Sequence, residues 1–288
     1  MIGVINLLDS TKKWLLEITI SVENVSGGRT EKSILYHYLV TQSSHQTIIE
    51  INQQPKGRMK IDKEQNLYAI HKVPILDVHE SYKITTKIVI EARDIDFPFN
   101  ASKIDEIPKS LVQSNCKPLK YWEFDDERVQ NIAKKLLERS DSSVYSYLLN
   151  VFRYTWHKIK IRNLMKDRLG VLGVLESYEG DCDEFSDLFI SLARAVKIPA
   201  RRVVGLSLHE TDDKVSFMYH AWAEAFVPGV GWVSFDPALK KFASLTKFHI
   251  ARCRMGTVSQ RSLLTLKYKI RKYDNIFNLN EDILVLRL

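Results

Sequence analysis

The chain has 288 residues, of which 45% are hydrophobic, with only 11 Gly and 8 Pro and a formal net charge of +7. This composition excludes a disordered or collagen-like chain and allows about two globular domains. No apolar stretch approaches the roughly 18 residues of a membrane span, and residues 1–10 lack the basic start of a secretory signal, so we expect a cytoplasmic protein without a membrane span.

The three cysteines, Cys116, Cys182 and Cys253, are an odd and widely spaced set without a C-x-x-C pair. This pattern argues against a disulfide framework and against a structural zinc site. We therefore expect no metal ion and no other cofactor. Each cysteine is by default a small buried residue.

The first part of the chain predicts β structure. Residues 16–23 alternate between apolar and polar side chains, and Gly27-Gly28 then gives a turn signal. Residues 33–41 are rich in Tyr, Ile, Leu and Val, and residues 82–90 alternate again. Short strands separated by Gly, Pro and Asn are typical of a β-sandwich, which we assign to residues 1–99.

Residues 100–120 contain Pro108 and Pro118 and little periodicity, so we interpret them as an interdomain linker. Two helices are predicted after this linker. Asp125 can cap the first helix, whose apolar side chains form one stripe. The second helix is expected over residues 143–159.

A third predicted helix begins at Cys182. Gly180 allows a close approach of the chain, and Asp181 can serve as the N-cap, so that Cys182 falls in the first turn. The apolar residues that follow recur at helical spacing and form one buried face: Phe185, Leu188, Phe189, Leu192 and Val196.

The position of Cys182 predicts a nucleophile. The unpaired N–H groups and the dipole of a helix N-terminus favour a thiolate and can hold an oxyanion. Asp181, Asp183 and Glu184 oppose the thiolate by repulsion. Helix effects of up to roughly 2 kcal/mol and exposed charge effects below about 1 kcal/mol are comparable. A cationic partner is therefore needed, and histidine is the usual one.

His220 opens a predicted hairpin over residues 219–236. If the loop has three residues, Val227 opposes Gly231. Asp236 then shares a face with His220 and lies diagonal to it, within reach of the imidazole. A two-residue loop would place Asp236 on the opposite face. The three-residue loop therefore predicts a nucleophile, base and orienter set when the hairpin meets the cysteine helix.

Residues 251–272 hold seven Lys or Arg and no acid. Such a run suggests an anionic partner such as nucleic acid or a membrane. Residues 264–271, however, alternate between apolar and polar side chains, as in a half-buried strand with a solvated face. We therefore do not expect nucleic acid as a partner.

Four motifs resemble those of the transglutaminase-like superfamily, a branch of papain-like folds found widely in bacteria and archaea. They occur in the family's order, and the match is close over about 60 residues and extends in outline over about 170. The motifs are Gly180-Asp181-Cys182, "ARAVKIPARRVVG" over residues 193–205, His220-Ala221-Trp222-Ala223-Glu224, and Gly231-Trp232 through Asp236-Pro237.

The resemblance implies an α+β fold, in which a papain-like core over residues 121–288 follows the N-terminal β-sandwich. In this core the cysteine helix packs on an antiparallel sheet, and the strands after Ala238 extend that sheet or cover its edge. The resemblance assigns Cys182 as the nucleophile, His220 as general base and acid, and Asp236 as the orienter of His220.

The resemblance also implies substrate-binding residues. We expect Trp222 and Trp232 to frame the site, with ordinary core residues as the alternative. The side-chain donor of the oxyanion hole is not assigned by the motifs, and Tyr178 is a candidate because it is close to the nucleophile in sequence. The arginines of the second motif are expected to hold carboxylates rather than substrate.

The family reaction passes through a thioester, which forms when the cysteine attacks a carboxamide or peptide carbonyl. Water as the acceptor gives hydrolysis, and an amine gives crosslinking. The chain is short and shows no calcium loop of the EF-hand kind. We therefore favour a cysteine peptidase or amidase with a protein or peptide substrate over a crosslinking transglutaminase.

Two interpretations from other classes stay open. In a catalytically silent binding protein, the β-domain would bind a partner and the core would be a scaffold. On this interpretation, Cys182 would be no more reactive than Cys116 or Cys253. A zinc hydrolase would use Cys182, His220 and Asp236 as ligands, although the chain lacks clustered ligand pairs.

Overall fold

The structure is a computed structural model that describes residues 11–141, 143–162, 167–260, 263–267 and 277–288. Strands occupy both ends of the described chain, and helices lie in its middle. The strands are β1 (Thr11–Asn24), β2 (Ser33–Tyr38), β3 (Gln46–Gln54), β4 (Arg58–Ile61), β5 (Leu67–Val73), β6 (Ser81–Arg93), β7 (Ile95–Asp96), β8 (Lys160–Ile161), β9 (Glu179–Gly180), β10 (Ala200–Glu210), β11 (Val215–Val227), β12 (Gly231–Phe235), β13 (Ser244–Leu245), β14 (His249–Met255), β15 (Leu264–Lys267) and β16 (Phe277–Arg287). The helices are α1 (Lys109–Asn115), α2 (Glu127–Leu137), α3 (Val144–Lys158), α4 (Gly170–Ser177) and α5 (Cys182–Ala195), with a 3₁₀ turn at Ile104–Glu106.

The N-terminal strands form two antiparallel sheets that share one hydrophobic core. Their spatial orders are β16-β1-β6-β3 and β15-β2-β5-β4. Every second residue of β1 from Trp14 to Val22 is fully buried, because alternate side chains of a strand point to the same face. Leu16 of the first sheet and Leu35 of the second belong to the same buried cluster. The predicted N-terminal β-sandwich is therefore confirmed.

The last two strands return to this sandwich rather than to the sheet next to the cysteine helix. β16 pairs with β1 from Asn24 opposite Phe277 to Trp14 opposite Arg287, and β15 pairs with β2. The expectation for strands after Ala238 therefore holds for β14 but not for β15 and β16. An edge strand leaves N–H and C=O groups unpaired, and β16 satisfies those of β1. The boundaries predicted at residues 99 and 121 stay predictions.

The described part of the basic run is largely structural. Arg252 is fully buried and donates from both terminal nitrogens to Glu281, at 2.7 and 2.8 Å. Arg254 lies beside Glu224, with its Nε 3.6 Å from the carboxylate. A strand is present at β15, while residues 268–272 lie outside the described residues. The absence of a nucleic-acid partner stays a prediction.

The middle of the chain forms the predicted helices. α3 is capped by Ser143, whose side chain accepts the N–H of Ser146. α2 is capped by Asp126 rather than by the predicted Asp125, because the Asp126 carboxylate reaches the N–H of Arg128. The predicted linker is not wholly irregular, since it contains the 3₁₀ turn and the short helix α1.

The core sheet has the order β12-β11-β10-β14 and is antiparallel throughout. The helix α5 packs on β11 and β10 through a large buried cluster that includes Phe185, Leu188 and Phe189. In the hairpin, Val227 opposes Gly231, which confirms the three-residue loop. The α+β fold predicted for the core is therefore present.

Gly205 sets the distance between β10 and β14. It pairs with His220 on one side and with Ala251 on the other, at a break in register. A Cβ atom at Gly205 would lie only 1.9 Å from the backbone oxygen of Ile250. Only glycine therefore allows β14 to lie this close to β10.

We predict that Gly205→Ala lowers the free energy of unfolding by about 3 kcal/mol, because the added carbon meets backbone that cannot rotate away. Denaturant unfolding of the variant and the wild type measures this difference. Gly28→Ala is the matched control, since a Cβ there would meet no heavy atom within 4 Å. It should change stability by less than about 0.5 kcal/mol. Equal effects of the two substitutions would contradict the strand-spacing role of Gly205.

Candidate active site

Cys182 is the first residue of α5, as predicted, and acidic side chains around it cap the helix. Asp181 accepts the N–H of Asp183 at 3.0 Å. Asp181 also accepts the N–H of Glu184, and the Glu184 carboxylate accepts the N–H of Asp181 at 3.0 Å, and these two reciprocal bonds form a capping box. The carboxylate of Asp183 also pairs with the guanidinium of Arg202. These acids are therefore engaged by N–H groups and an arginine instead of acting on the thiol as isolated charges.

Glu184 is fully buried under the start of the helix. Burial raises its pKa to about 7, against the opposing effect of hydrogen bonds from the N–H groups of Asp181 and Leu169. A Cβ at Gly180 would lie 2.3 Å from the Glu184 Cβ, so glycine is needed for this packing. The raised pKa favours the neutral carboxyl, which reduces the negative charge near Cys182.

His220 and Asp236 form a buried pair. His220 Nε2 lies 2.7 Å from Asp236 Oδ2, and the side chains are 7% and 0% exposed. The Cys182 side chain hydrogen-bonds His220 as well. Because Nε2 faces the carboxylate, Nδ1 is the ring nitrogen that remains for the sulfur. The structure thus brings the three predicted catalytic residues together in one cluster.

The electrostatics of the pair favour the charged forms. Burial by itself would lower the pKa of His220, but the charge and hydrogen bond of Asp236, with a smaller contribution from Cys182, raise it to about 10. Burial would likewise raise the pKa of Asp236. The charge and hydrogen bond of His220, followed by the contacts with His249, outweigh burial and hold that pKa well below its usual range.

The aromatic residues predicted to line the site have different surroundings. Trp222 is fully buried and lies nearly parallel to His220, with ring centroids 6.1 Å apart. Trp232 is partly exposed, and Tyr178 hydrogen-bonds Tyr154. Trp222 therefore supports the imidazole from within the core. The roles of all three predicted aromatic residues toward substrate stay predictions.

The arginines of the second motif bind other protein groups around the site. Arg201 donates from Nε to Glu224 at 2.7 Å, and Arg202 pairs with Asp183. Arg194 instead donates to backbone carbonyl oxygens. The expected carboxylate partners are thus confirmed for Arg201 and Arg202. The expectation is wrong for Arg194, whose buried guanidinium meets carbonyl groups near the C-terminal end of α5.

His249 had no assigned role from sequence, yet it lies beside the pair. Its Nε2 is 3.2 Å from Asp236 Oδ2, and its side chain is 3% exposed. The sequence around His249 carries no motif. The only feature that could have drawn attention to it is that a histidine opens an apolar strand. The sheet order brings His249 to the site, because β14 lies next to β10.

Two clusters in the described part of the chain bring possible metal-binding atoms within 4.8 Å of one another: His220 with Asp236 and His249, and Asp181 with Cys182 and Asp183. Neither cluster is the set that the zinc-hydrolase interpretation requires. In the first cluster the atoms lie at hydrogen-bonding distances, so protons satisfy them. The absence of a metal stays a prediction.

Comparison with known proteins places part of the chain beside a described family. Residues 130–237 match the family model described as the transglutaminase-like superfamily. This segment contains Cys182, His220 and Asp236 in the order given by the four motifs. Residues 130–237 are therefore similar to the transglutaminase-like superfamily, and this similarity covers less than half of the chain.

One curated protein and several solved structures are similar to this chain. The chain is 31% identical over 170 residues to the uncharacterized protein YebA of Bacillus subtilis (strain 168), a match that covers 51% of the chain and 23% of YebA. A candidate cysteine protease of Cytophaga hutchinsonii superposes with a TM-score of 0.66 at 14% identity, covering 96% of this chain and 91% of that one. The periplasmic domain of TgpA from Pseudomonas aeruginosa has a TM-score of 0.46 at 13% identity, covering 78% and 88%.

These matches differ in what they establish. At 14% identity, the Cytophaga structure shows the fold alone, and the match spans less than a quarter of the length of YebA. Among the described residues, no helix is long and apolar enough to cross a bilayer. The cytoplasmic location stays a prediction.

We predict that the His220–Asp236 pair makes stability fall with alkaline pH. The pKa of His220 is about 10 when folded and 6.5 in the reference state. Its contribution to the free energy of unfolding is therefore complete below about pH 6.5 and is lost as pH rises through about 10. The difference in melting temperature between wild type and His220→Gln should shrink from about pH 7 to about pH 11.

His71→Gln is the control for this titration. His71 is buried in the sandwich, and burial lowers its pKa to about 4, so it does not titrate in the alkaline range. Its melting-temperature difference from wild type should stay constant there. A His220→Gln difference that is equally flat, or that grows with pH, would contradict the paired arrangement.

Proposed function

We propose that the protein is a thiol-dependent acyl-transfer enzyme, a cysteine peptidase or amidase that acts on peptide or carboxamide bonds. The observation that carries the proposal is the contact of Cys182 with a histidine whose other ring nitrogen is 2.7 Å from a buried aspartate. A nucleophile, a base and an orienter in this geometry support covalent catalysis.

In the proposed acylation, the Cys182 sulfur forms a bond to the carbonyl carbon of the substrate. The proton held by His220 passes to the leaving nitrogen, the C–N bond breaks, and an amine or ammonia departs. The remaining acyl group is a thioester on Cys182. Asp236 keeps the imidazole oriented and stabilises its charged form.

In the proposed deacylation, neutral His220 takes a proton from water, and the oxygen attacks the thioester carbonyl. The C–S bond breaks, the carboxylic acid leaves, and His220 again shares the proton with Cys182. An amine in place of water would form a new amide and crosslink two substrates. Hydrolysis and crosslinking therefore share the first step.

The helix start supports this scheme. The N–H groups of a helix start can donate to an oxyanion, and we assign the backbone N–H of Cys182, the first residue of α5, to this role. We propose Tyr178 as the side-chain donor, with Trp222 and Trp232 framing the substrate. The Cytophaga neighbour described as a candidate cysteine protease agrees with the peptidase side of the proposal.

We predict selective alkylation of Cys182 by iodoacetamide near neutral pH. Burial raises the pKa of Cys116 to about 11, and Cys253 is fully buried, so neither presents a reactive thiolate under these conditions. Peptide mass mapping after brief labelling measures the extent at each cysteine. Equal labelling of the three would favour the catalytically silent binding protein.

Cys182→Ala should lower amide turnover by at least about a thousandfold without loss of the fold, whereas Cys116→Ala should retain it. Glutamine-containing peptides, offered with and without a lysine-containing peptide, provide the substrates. Mass analysis of trapped Cys182 and of the products separates hydrolysis from crosslinking. Equal turnover by Cys182→Ala and wild type would reject the proposal.

A further inference from the structure

His249 lies at the site without a role in the proposed reaction. It follows the matched family segment, which ends at residue 237, and it does not belong to the four motifs. Its side chain is nearly fully buried and touches the same carboxylate oxygen of Asp236 as His220 does. Its hydrogen bonds indicate what this second imidazole does.

The proton on Nε2 of His249 follows from the carboxylate that this nitrogen faces. Asp236 can only accept, so the nitrogen that faces it, Nε2, carries a proton and donates to Oδ2 at 3.2 Å. At Nδ1, the backbone N–H and the backbone oxygen of Thr246 both lie at 3.3 Å, and its hydroxyl lies at 3.0 Å. These groups include a donor, an acceptor and a hydroxyl that can be either, so the contact that fixes a proton on the ring is the one between Nε2 and Asp236.

The carboxylate of Asp236 is thereby held from several directions. Oδ1 accepts the N–H of Leu239 at 3.0 Å, and Oδ2 accepts from His220 and His249. Without His249, the Asp236 carboxylate could rotate about its Cβ–Cγ bond, and the contact with His220 would lengthen. Two fixed donors besides His220 keep Oδ2 aimed at His220 Nε2.

The ring of His249 is also fixed in place. The edge of Trp222 meets it at an angle of 84°, with centroids 5.5 Å apart. His45 of the N-terminal sandwich donates from Nε2 to the backbone oxygen of His249 at 2.7 Å. The ring is therefore packed against Trp222, and the backbone that carries it is held by His45 from the N-terminal part of the chain.

We propose that His249 is a positioning residue for the proposed acyl-transfer reaction. Its imidazole donates a second hydrogen bond from Nε2 to Asp236, fixes the carboxylate, and so keeps His220 with Nδ1 toward Cys182. His249 touches neither the sulfur nor the substrate. The proposal rests on the function proposed above.

The test compares His249→Leu, which removes the donor, with His249→Gln, whose side-chain amide can replace Nε2–H. We expect His249→Leu to lower kcat for amide substrates on the order of 10- to 100-fold with little change in KM, as for other residues that orient a catalytic group. His249→Gln should recover most of the loss. His71→Leu, which removes another buried histidine, should leave kcat unchanged.

A spectroscopic measurement separates this proposal from the proposed function. The proton on His220 Nε2 should give a downfield NMR signal in the wild type, because it is shared with a buried carboxylate. We expect this signal to shift or vanish in His249→Leu and to return in His249→Gln. If the wild type has no acyl-transfer activity, the same signal still tests the positioning role.

Several outcomes would overturn the proposal. The first is a folded His249→Leu variant that keeps the wild-type kcat and an unchanged His220 signal. The second is a His249→Gln variant whose kcat is no higher than that of His249→Leu. The third is a loss of kcat in His71→Leu equal to that in His249→Leu. One zinc ion per chain in the purified protein would also overturn it, since the imidazole would then bind metal. If His249→Leu does not fold, His249→Asn, whose shorter amide cannot reach Oδ2, takes its place beside His249→Gln.

Discussion

A fully buried carboxylate, that of Asp236, is the constraint on which the arrangement of the core depends. A buried charge is unfavourable unless it is paired and hydrogen-bonded. Its partners are an N–H from the turn after β12 and imidazoles from β11 and β14. Three segments of the core must therefore converge on one residue, and this convergence places His220 beside Cys182.

The N-terminal sandwich contributes to this convergence through β14. This strand lies at the edge of the core sheet, where its outward N–H and C=O groups need partners. The Gln46 side chain bonds the N–H and the C=O of Ala251, both at 2.8 Å, and the N–H of Thr41 donates to the same oxygen at 3.0 Å. Residues 41–46 thus complete the edge, and the sandwich is part of the framework of the site.

The charges near the thiol show how one cluster can serve two purposes. Acidic residues at a helix start stabilise the helix by capping, but they also oppose a thiolate at the same position. The structure reduces this conflict because Asp183 pairs with Arg202 and burial raises the pKa of Glu184. The same acidic residues can therefore cap the helix, while His220 is the charged partner of Cys182.

The sequence by itself determined the local features. Periodicity placed α5 with Cys182 at its start, and the loop length set the hairpin register that aligns His220 with Asp236. Both depend on neighbours in the chain, which repeating apolar patterns and turn residues specify.

Only the tertiary structure decided that His249 joins the site and that β15 and β16 return to the N-terminal sheets. Those contacts link residues far apart in sequence through strand pairing, and backbone pairing carries little signal in the side chains. The position of His249 depends on β14 lying against β10, which Gly205 permits by the absence of a side chain.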